Sequence, residues 1–394
     1  MDITISNFIK SCEHVTKDKL NKFISEKLSN QSPIIEEISN DSHNKLVTFI
    51  YCGDQHIKSV NLYSPLLGGR GFPNKMLRLG DSNCFYYSLI VPNNIRASYA
   101  FLPNDLNNYD DVENNEQSIN TFVNMWAALI PDPFNSKKLS LKTGNPRIHI
   151  YTSILEMPLA PLQYWSQLKP SVPRGLLAKH IVDSVILKSQ RDYWVYLPSS
   201  YDSSNQYPLL MVFDGQFYYD SGIPLPTIID NLIYEQKIPP IILVLVDSVG
   251  FHERARDLRC SEPFLQFVTD ELLSEINSKY SILDEPLNKI LMGASLGGLF
   301  SLYASLVRPD LFGKVLSQSD GDAIITELIK MNPAYPRKIY LDVGSLENDE
   351  RIQKTRELLM YAGHDVIFQI FPGSHDLVCW ETAIPDALIQ LLKG

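Results

Sequence analysis

The C-terminal half of the chain alternates short apolar runs with segments of helical period, and this alternation constrains the fold more than any other feature. The strand-like runs from about residue 175 onward are IVDSVILKS, DYWVYLP, PLLMVFD, IILVLVD, KILMGAS, KVLSQS, KIYLDVG and DVIFQIF. Apolar strands separated by helices indicate a mainly parallel sheet with helices on both faces. Ligands bind such sheets at the carboxyl ends of the strands, so catalytic residues are expected in the turns that follow them.

The N-terminal half has a different pattern. Its runs LVTFIYC, VNLYSPL, CFYYSLIVP and ASYAFLP lack helical period and are separated by turn residues, which is typical of a small β-sandwich that closes near Pro103. An acidic loop (Asn104–Gln117) and a Pro-rich connector follow. We therefore predict a helical or loose lead-in over residues 1–40, a β-sandwich with its connector over 41–165, and an α/β domain over 175–394.

Composition limits the partners and the compartment. The 394 residues carry a net charge of −10, which argues against nucleic acid because a phosphate backbone needs a basic surface. No signal-peptide pattern is visible, and no apolar stretch approaches the roughly 18 residues of a membrane span. The five cysteines lack CxxC spacing, which favours reduced thiols over disulfides or a zinc site. The sequence thus predicts a cytoplasmic protein without a metal site, and it carries no indication of the oligomeric state.

One turn carries a nucleophile motif. The run Gly293-Ala294-Ser295-Leu296-Gly297 stands between a strand-like run and an apolar helical segment. This is the setting of a nucleophile elbow, in which a tight turn exposes a serine hydroxyl at a helix N-terminus and side chains at the two glycines would clash. The motif predicts an α/β-hydrolase fold with Ser295 as nucleophile; a glycine-rich packing turn is the weaker alternative.

The serine needs a base, and the order along the chain in this fold is Ser, acid, His. His375 is favoured because it lies in the turn PGSHD after the last strand-like run. His364 is expected on the surface at the opposite end of the sheet, and His252 is a minor candidate.

The acid is expected after the run KIYLDVG, where Glu347, Asp349 and Glu350 compete. Asp342 lies within the strand and is therefore less suitable. Position alone does not choose between Glu347 and Asp349, because either carboxylate can orient and stabilise the imidazole.

The oxyanion hole needs two backbone N–H groups. One is predicted from Leu296, and the other from Gly215 or Gln216 in the turn after PLLMVFD. Gly215 would let the backbone approach the substrate closely, although an ordinary turn glycine is a fair alternative.

From about residue 44 to the C-terminus, the chain resembles the enterochelin (enterobactin) esterase family. The segments that carry the resemblance are RASYAFLP, LEMPLAPLQYW, MVFDGQFYYD, HERARDLRCSEPFLQFVTDELL, MGASLGGLFSLYASLVRPDLFGKVLSQS and PGSHDLVCW. The resemblance implies a small β-domain joined to an esterase D-type catalytic domain that cuts the trilactone of a ferric catecholate siderophore in the cytoplasm. It assigns Ser295 as nucleophile, His375 as base and Glu347 as acid. It implies no cofactor, because Fe(III) belongs to the small-molecule substrate.

The resemblance also implies a substrate site. Arg254 and Asp257 of HERARDL match family positions in a loop after IILVLVD, Arg256 stands between them, and Trp380 belongs to the matching C-terminal segment. The arginines would supply positive charge for an anionic ester.

One departure concerns the substrate. After LSQS this chain has Asp320-Gly321-Asp322, where the family continues with glycine and aromatic residues, and two acids facing a ligand would disfavour an anionic ferric complex. The alternatives are a carboxylesterase, or an acyltransferase or lactonising enzyme, that uses the same triad on another acyl ester. A non-catalytic siderophore-binding protein is disfavoured because all triad positions are filled.

Overall fold

The computed structural model describes residues 6–15, 17–29, 31–68, 73–104, 116–143, 149–219, 222–320, 323–331, 337–348 and 350–393. The chain divides into two compact units. The first comprises Met1–Ser140, His149–Leu162 and Pro372–Cys379, and the second comprises Leu141–Ile148, Gln163–Phe371 and Trp380–Gly394.

The first nine strands form two antiparallel sheets. The strands are β1 (Ile34–Ile38), β2 (Asp41–Cys52), β3 (Val60–Tyr63), β4 (Asn74–Lys75), β5 (Leu77–Arg78), β6 (Cys84–Pro92), β7 (Arg96–Pro103), β8 (Lys138–Lys142) and β9 (His149–Glu156). The sheet orders are β1-β2-β6-β5 and β4-β3-β7-β9-β8. Residues of both sheets share one buried cluster, which includes Phe49, Leu62, Phe85 and Phe101. The predicted β-sandwich is present, but it does not close near Pro103, because β9 returns to pair with β7.

The N-terminal lead-in is helical and packed. It contains α1 (Asn7–Glu13) and α2 (Lys17–Leu28), whose buried side chains, such as Ile9 and Ile24, cluster with Ile50 of β2. Most of the predicted acidic loop, residues 105–115, lies outside the described residues, and α3 (Glu116–Ala127) follows it.

Two of the five cysteines form a disulfide, so the prediction of reduced thiols is wrong for this pair. Cys52 and Cys84 are 32 residues apart in sequence but lie directly opposite each other in the antiparallel ladder of β2 and β6, with their Cα atoms 4.0 Å apart. Cys12, Cys260 and Cys379 are free thiols.

The second unit is built on an eight-stranded sheet. The strands are β10 (Leu176–Ser184), β11 (Ser189–Leu197), β12 (Leu209–Phe213), β13 (Ile242–Val246), β14 (Lys289–Ala294), β15 (Lys314–Gln318), β16 (Lys338–Gly344) and β17 (Asp365–Phe371). Their order is β10-β11-β13-β12-β14-β15-β16-β17, and every pair from β13 to β17 is parallel. Strands β12 and β13 are buried along their whole length, as apolar central strands covered on both faces should be.

Helices cover this sheet. They are α4 (Leu225–Tyr234), α5 (Phe251–Leu258), α6 (Glu262–Gln266), α7 (Leu273–Lys279), α8 (Leu296–Val307), α9 (Ala323–Met331), α10 (Glu350–Tyr361) and α11 (Leu377–Leu392). A π-helical turn over Phe267–Leu272 joins α6 to α7. None of the helices in the described ranges is long and apolar enough to cross a bilayer.

One run that the sequence predicts to be a single strand contains a hairpin turn. The run IVDSVILKS contains the end of β10 and the start of β11, which form an antiparallel hairpin. The Glu271 carboxylate accepts hydrogen bonds from the N–H groups of Val185 and Ile186 at 2.9 and 3.1 Å. A distant side chain therefore stabilises a turn that the apolar sequence conceals.

Candidate active site

Ser295 occupies the turn between β14 and α8. Its backbone has φ 55° and ψ −123°, a conformation that costs a non-glycine residue about 1–3 kcal/mol. The Ser295 N–H donates to the Gln318 carbonyl at 2.8 Å, and the Leu299 N–H donates to the Ser295 carbonyl at 2.9 Å. The strand ladder and the first helical turn thus impose the strained conformation, as in a nucleophile elbow.

Two glycines are required by the closeness of this turn. A Cβ atom at Gly293 would lie 2.3 Å from the carbonyl carbon of Gly297, and one at Gly298 would lie 2.6 Å from Ser317 Oγ. At Gly297 the nearest atom, Asp214 Oδ2, would be 3.5 Å away, which is an ordinary contact. The prediction that a side chain at Gly297 would clash is therefore wrong, and Gly298 is the second restricted position.

The candidate oxyanion donors lie at the ends of neighbouring strands. Leu296 is the first residue of α8, where helical geometry leaves the N–H without an intrahelical acceptor. Gly215 and Gln216 begin a 3₁₀ turn after β12, and the preceding Asp214 has φ 60°. The 3.5 Å spacing between Asp214 Oδ2 and a Cβ at Gly297 shows that this turn abuts the start of α8.

Gly215 is explained by packing. A Cβ atom there would lie 2.7 Å from the backbone of Leu245 and Val246 in β13. This favours the alternative reason for a glycine at this position, close packing of the turn, over close approach to a substrate.

The turn that carries the candidate oxyanion donors Gly215 and Gln216 is fixed by an ion pair that the sequence did not predict. Arg254 Nε donates to both oxygens of Asp214 at 2.8 and 2.9 Å, and Arg254 Nη2 lies 2.7 Å from Oδ2. Ser248 Oγ donates to Asp214 at 2.7 Å, and the Ser248 N–H donates to Gln216 Oε1 at 2.9 Å. The charge of Arg254 is therefore used within the protein, although its side chain keeps 21% exposure.

The segment HERARDL forms helix α5, not the predicted loop. Asp257, at its end, is 3% exposed and lies 2.8 Å from both Arg191 Nη1 and Arg256 Nε. The structure therefore shows Asp257 as a buried carboxylate that pairs with two arginines, in place of the predicted substrate contact. The Arg256 side chain is 61% exposed.

Glu347 follows β16 and is oriented by two hydrogen bonds. Its Oε1 accepts from the Gly344 N–H at 2.8 Å and from Ser319 Oγ at 2.7 Å. Ser319 Oγ in turn accepts from Trp380 Nε1 at 2.8 Å. Trp380, predicted to bind substrate, is 9% exposed, and its indole supports Ser319 and, through Ser319, the Glu347 carboxylate. Ser319, which sequence reasoning missed, has φ 51° and carries no recognisable motif.

The other carboxylates have different positions. Asp342 lies within β16 and is fully buried, which raises its pKa, and Glu350 is the exposed first residue of α10. Asp320 is 6% exposed. Asp349 and Asp322 lie outside the described residues.

His375 lies in the turn after β17 and belongs to the first unit. His364 precedes β17 at the opposite end of the sheet, as predicted, but it is 6% exposed, so the expectation of a surface residue is wrong. Its Nδ1 accepts from the Arg337 N–H at 3.3 Å, and burial together with the Arg337 charge lowers its pKa to about 4. His252 is exposed on α5.

Within the described ranges, no group of three or more His, Cys, Asp or Glu side chains could hold a metal ion. Three features define the class: the mainly parallel sheet, the strained serine between β14 and α8, and the turn after β12 that abuts the start of α8. The protein is a serine hydrolase with the α/β-hydrolase fold.

Comparison with known proteins gives the family. Residues 46–166 match the family model "Enterochelin esterase, N-terminal", and residues 184–391 match "Putative esterase". The iron(III) enterobactin esterase of Escherichia coli K12 is 30% identical over 342 residues, which cover 81% of this chain and 82% of that protein. The corresponding esterase of Dickeya dadantii is 26% identical over 92% of this chain and 91% of its own length. The chain belongs to the enterobactin esterase family and is a carboxylic ester hydrolase.

A solved structure agrees with this assignment. The enterobactin esterase from Shigella flexneri, crystallised in the presence of enterobactin, is 25% identical and covers 91% of this chain and 96% of its own length, with a TM-score of 0.73.

Proposed function

We propose that this esterase hydrolyses the ester bonds of a ferric catecholate siderophore of the enterobactin type through an acyl-enzyme. The substrate class comes from the relatives, which act on iron(III) enterobactin. The single observation that carries the chemistry is the strained Ser295 backbone between β14 and α8.

Ser295 Oγ attacks the ester carbonyl carbon while His375 takes the hydroxyl proton. The N–H groups of Leu296 and Gln216 donate hydrogen bonds to the oxygen that becomes negative in the tetrahedral intermediate. The carbon–oxygen bond to the serine-derived alcohol then breaks, and that oxygen takes the proton from His375. Water, deprotonated by His375, attacks the acyl-enzyme, which releases the acid and restores Ser295.

Glu347 is the acid that orients and stabilises the imidazolium. The hydrogen bonds from Gly344 and Ser319 support this role, because they fix the carboxylate without neutralising its charge. On this proposal Glu347→Gln lowers turnover far more than Asp349→Asn. If Asp349→Asn is instead the more damaging variant, the triad acid is Asp349.

In this proposal Fe(III) is part of the substrate, and no resident metal or cofactor takes part. We place the reaction in the cytoplasm, where the family cleaves imported siderophores, although a disulfide such as Cys52–Cys84 is uncommon in a reducing compartment. Cell fractionation measures the location.

The test is product analysis by mass spectrometry with ferric and iron-free enterobactin. Wild type should yield the linear trimer, dimer and monomer, while Ser295→Ala and His375→Ala should each lower kcat by about 10⁴-fold or more. Ser278→Ala, on an exposed hydroxyl that donates to the Glu275 carbonyl within its own helix, is the matched control. Near-wild-type turnover in either triad variant, or intact substrate with wild type, contradicts the proposal.

A further inference from the structure

Strand β7 of the first unit has an edge that its neighbouring strands leave partly unpaired. Strand β3 pairs with β7 only from Ala100 to Pro103. On the opposite edge, the Ile95 carbonyl accepts from the Met157 N–H, and Phe101 exchanges hydrogen bonds with Ile130. In a strand, the backbone N–H and C=O groups of one residue point to one edge, and those of the next residue point to the other edge. The backbone N–H and C=O groups of Arg96 and Ser98 therefore point to the edge on which β3 lies, at positions that β3 is too short to cover.

The turn Pro372–Cys379 occupies this stretch of edge. The Ser98 N–H donates to Asp376 Oδ2 at 2.5 Å, and Cys379 Sγ donates to the Arg96 carbonyl at 3.0 Å. Arg96 Nη1 also reaches the Val378 carbonyl at 3.5 Å. Side chains of this turn and of the first turn of α11 are thus hydrogen-bonded to the backbone of β7.

These contacts are shielded from water. Asp376 is 5% exposed, Cys379 is 1% exposed and Ser98 is 5% exposed. Burial raises the pKa of the Cys379 thiol, which keeps it protonated and able to donate. Asp376 Oδ1 also accepts from the Val378 N–H at 3.3 Å, so both carboxylate oxygens face N–H donors. Water cannot take the place of a buried hydrogen-bond partner that is lost, so each of these hydrogen bonds strongly restricts the conformation of the turn.

We propose that β7 of the N-terminal unit positions the catalytic base: by binding the side chain of Asp376, it fixes the turn that carries His375. The inference rests on the proposed function, in which His375 is the base. His375 immediately precedes Asp376, so the two anchors at Asp376 and Cys379 limit the backbone angles that aim the imidazole. Asp376 is a positioning residue, and Arg96 and Ser98 of β7 serve the reaction through the base.

The principal test is Asp376→Asn in the full-length protein. The amide has the same shape but turns an NH₂ group toward one of two N–H donors, so the turn should shift. A misplacement of about 1 Å lowers rates by up to about 10²-fold, so we expect kcat for an activated ester to fall about 10–100-fold with KM nearly unchanged. The rate at which a fluorophosphonate labels Ser295 should fall by the same factor, because that attack also requires the base.

Two further sets of variants separate positioning from stability. Asp132→Asn is the matched control: Asp132 is fully buried in the same unit and accepts from Tyr99 and Ser32, but it does not touch the turn. It should lower the melting temperature without slowing the labelling of folded enzyme. Cys379→Ser keeps a donor for the Arg96 carbonyl, so it should retain more activity than Cys379→Ala, and this pair decides the matter if Asp376→Asn does not fold.

The outcomes are distinct. If folded Asp376→Asn labels at the wild-type rate, or if labelling in both aspartate variants follows only the melting temperature, β7 does not position the base. If Ser295→Ala or His375→Ala keeps its turnover, the proposed function fails whatever Asp376 does.

Discussion

Asp257 is held between Arg191 of β11 and Arg256 of α5, and its replacement by Asn tests whether this carboxylate is structural. The Arg191 and Asp257 side chains are 2% and 4% exposed, and Nη1 lies 2.8 Å from Oδ2. Coulomb's law gives about 6 kcal/mol for two unit charges at that distance and an effective dielectric constant of about 20. Removal of one partner leaves the other charge buried and typically costs about 3–5 kcal/mol. We expect that loss for Asp257→Asn and for Arg191→Met, and a much smaller loss for the double variant Arg191→Met/Asp257→Leu.

The assay is urea unfolding followed by intrinsic fluorescence. The slope of the unfolding free energy against urea concentration is compared between variants, to check that they unfold in the same transition. Asp310→Asn is the control, because it removes a bidentate partner of Arg308 that is 59% exposed, and exposed pairs contribute about 1 kcal/mol or less. The KM for ferric enterobactin should stay unchanged in folded Asp257→Asn. An unchanged unfolding midpoint together with a raised KM would refute the structural assignment and restore the substrate contact.

Three further predictions follow from the geometry of the site. Gly293→Ala should destabilise the elbow and abolish labelling of the serine, whereas Gly297→Ala should be tolerated, as measured by thermal unfolding and fluorophosphonate labelling. Trp380→Phe removes the indole donor to Ser319 and should lower kcat several-fold without a change in KM. Burial raises the pKa of Asp247 to about 7, so the folded state holds its proton more tightly than the unfolded chain does, and this contribution to stability is lost as the pH rises from about 4 to 7. Asp247→Asn should therefore gain stability relative to wild type between pH 5 and pH 8, by at most about 3 kcal/mol, measured by urea unfolding at both values.

The parts of the fold that depend on local pattern were predictable. The run KILMGASLGG predicts a strand, a tight turn and a helix because each step is fixed by residues within a few positions, and the structure has β14, Ser295 and α8 in that order. The segment PFLQFVTDELLSEINSKY has apolar residues at helical spacing, which indicates a helix, and in the structure Phe264 and Ile276 of this segment are buried. What local pattern did not indicate was the π-helical turn inside that segment.

Contacts between distant segments could not be predicted, because sequence separation hides which strands become neighbours. Cys52 and Cys84 pair only because β2 and β6 align in one register. The Glu271 carboxylate closes a hairpin 85 residues away, inside a run with no turn signal. Ser319 supports Glu347 from the end of another strand, 28 residues earlier in the chain. Each of these contacts depends on the order of strands in a sheet, which a single sequence does not state.

The charge on α5 shows why residue type alone overstates a binding site. Arg254 and Arg256 suggest a cluster of positive charge for an anionic ester, yet Asp214 and Asp257 lie within 3 Å of them. With Arg191 included, three guanidinium groups face two carboxylates, so the set keeps one positive charge rather than three. The most exposed member, Arg256, is the one that can present this charge to solvent, whereas Arg254 pairs with Asp214, which precedes the proposed oxyanion donors Gly215 and Gln216. An anionic siderophore should therefore lose affinity when Arg256 is replaced, and lose turnover when Arg254 is replaced, because the two arginines act on different steps.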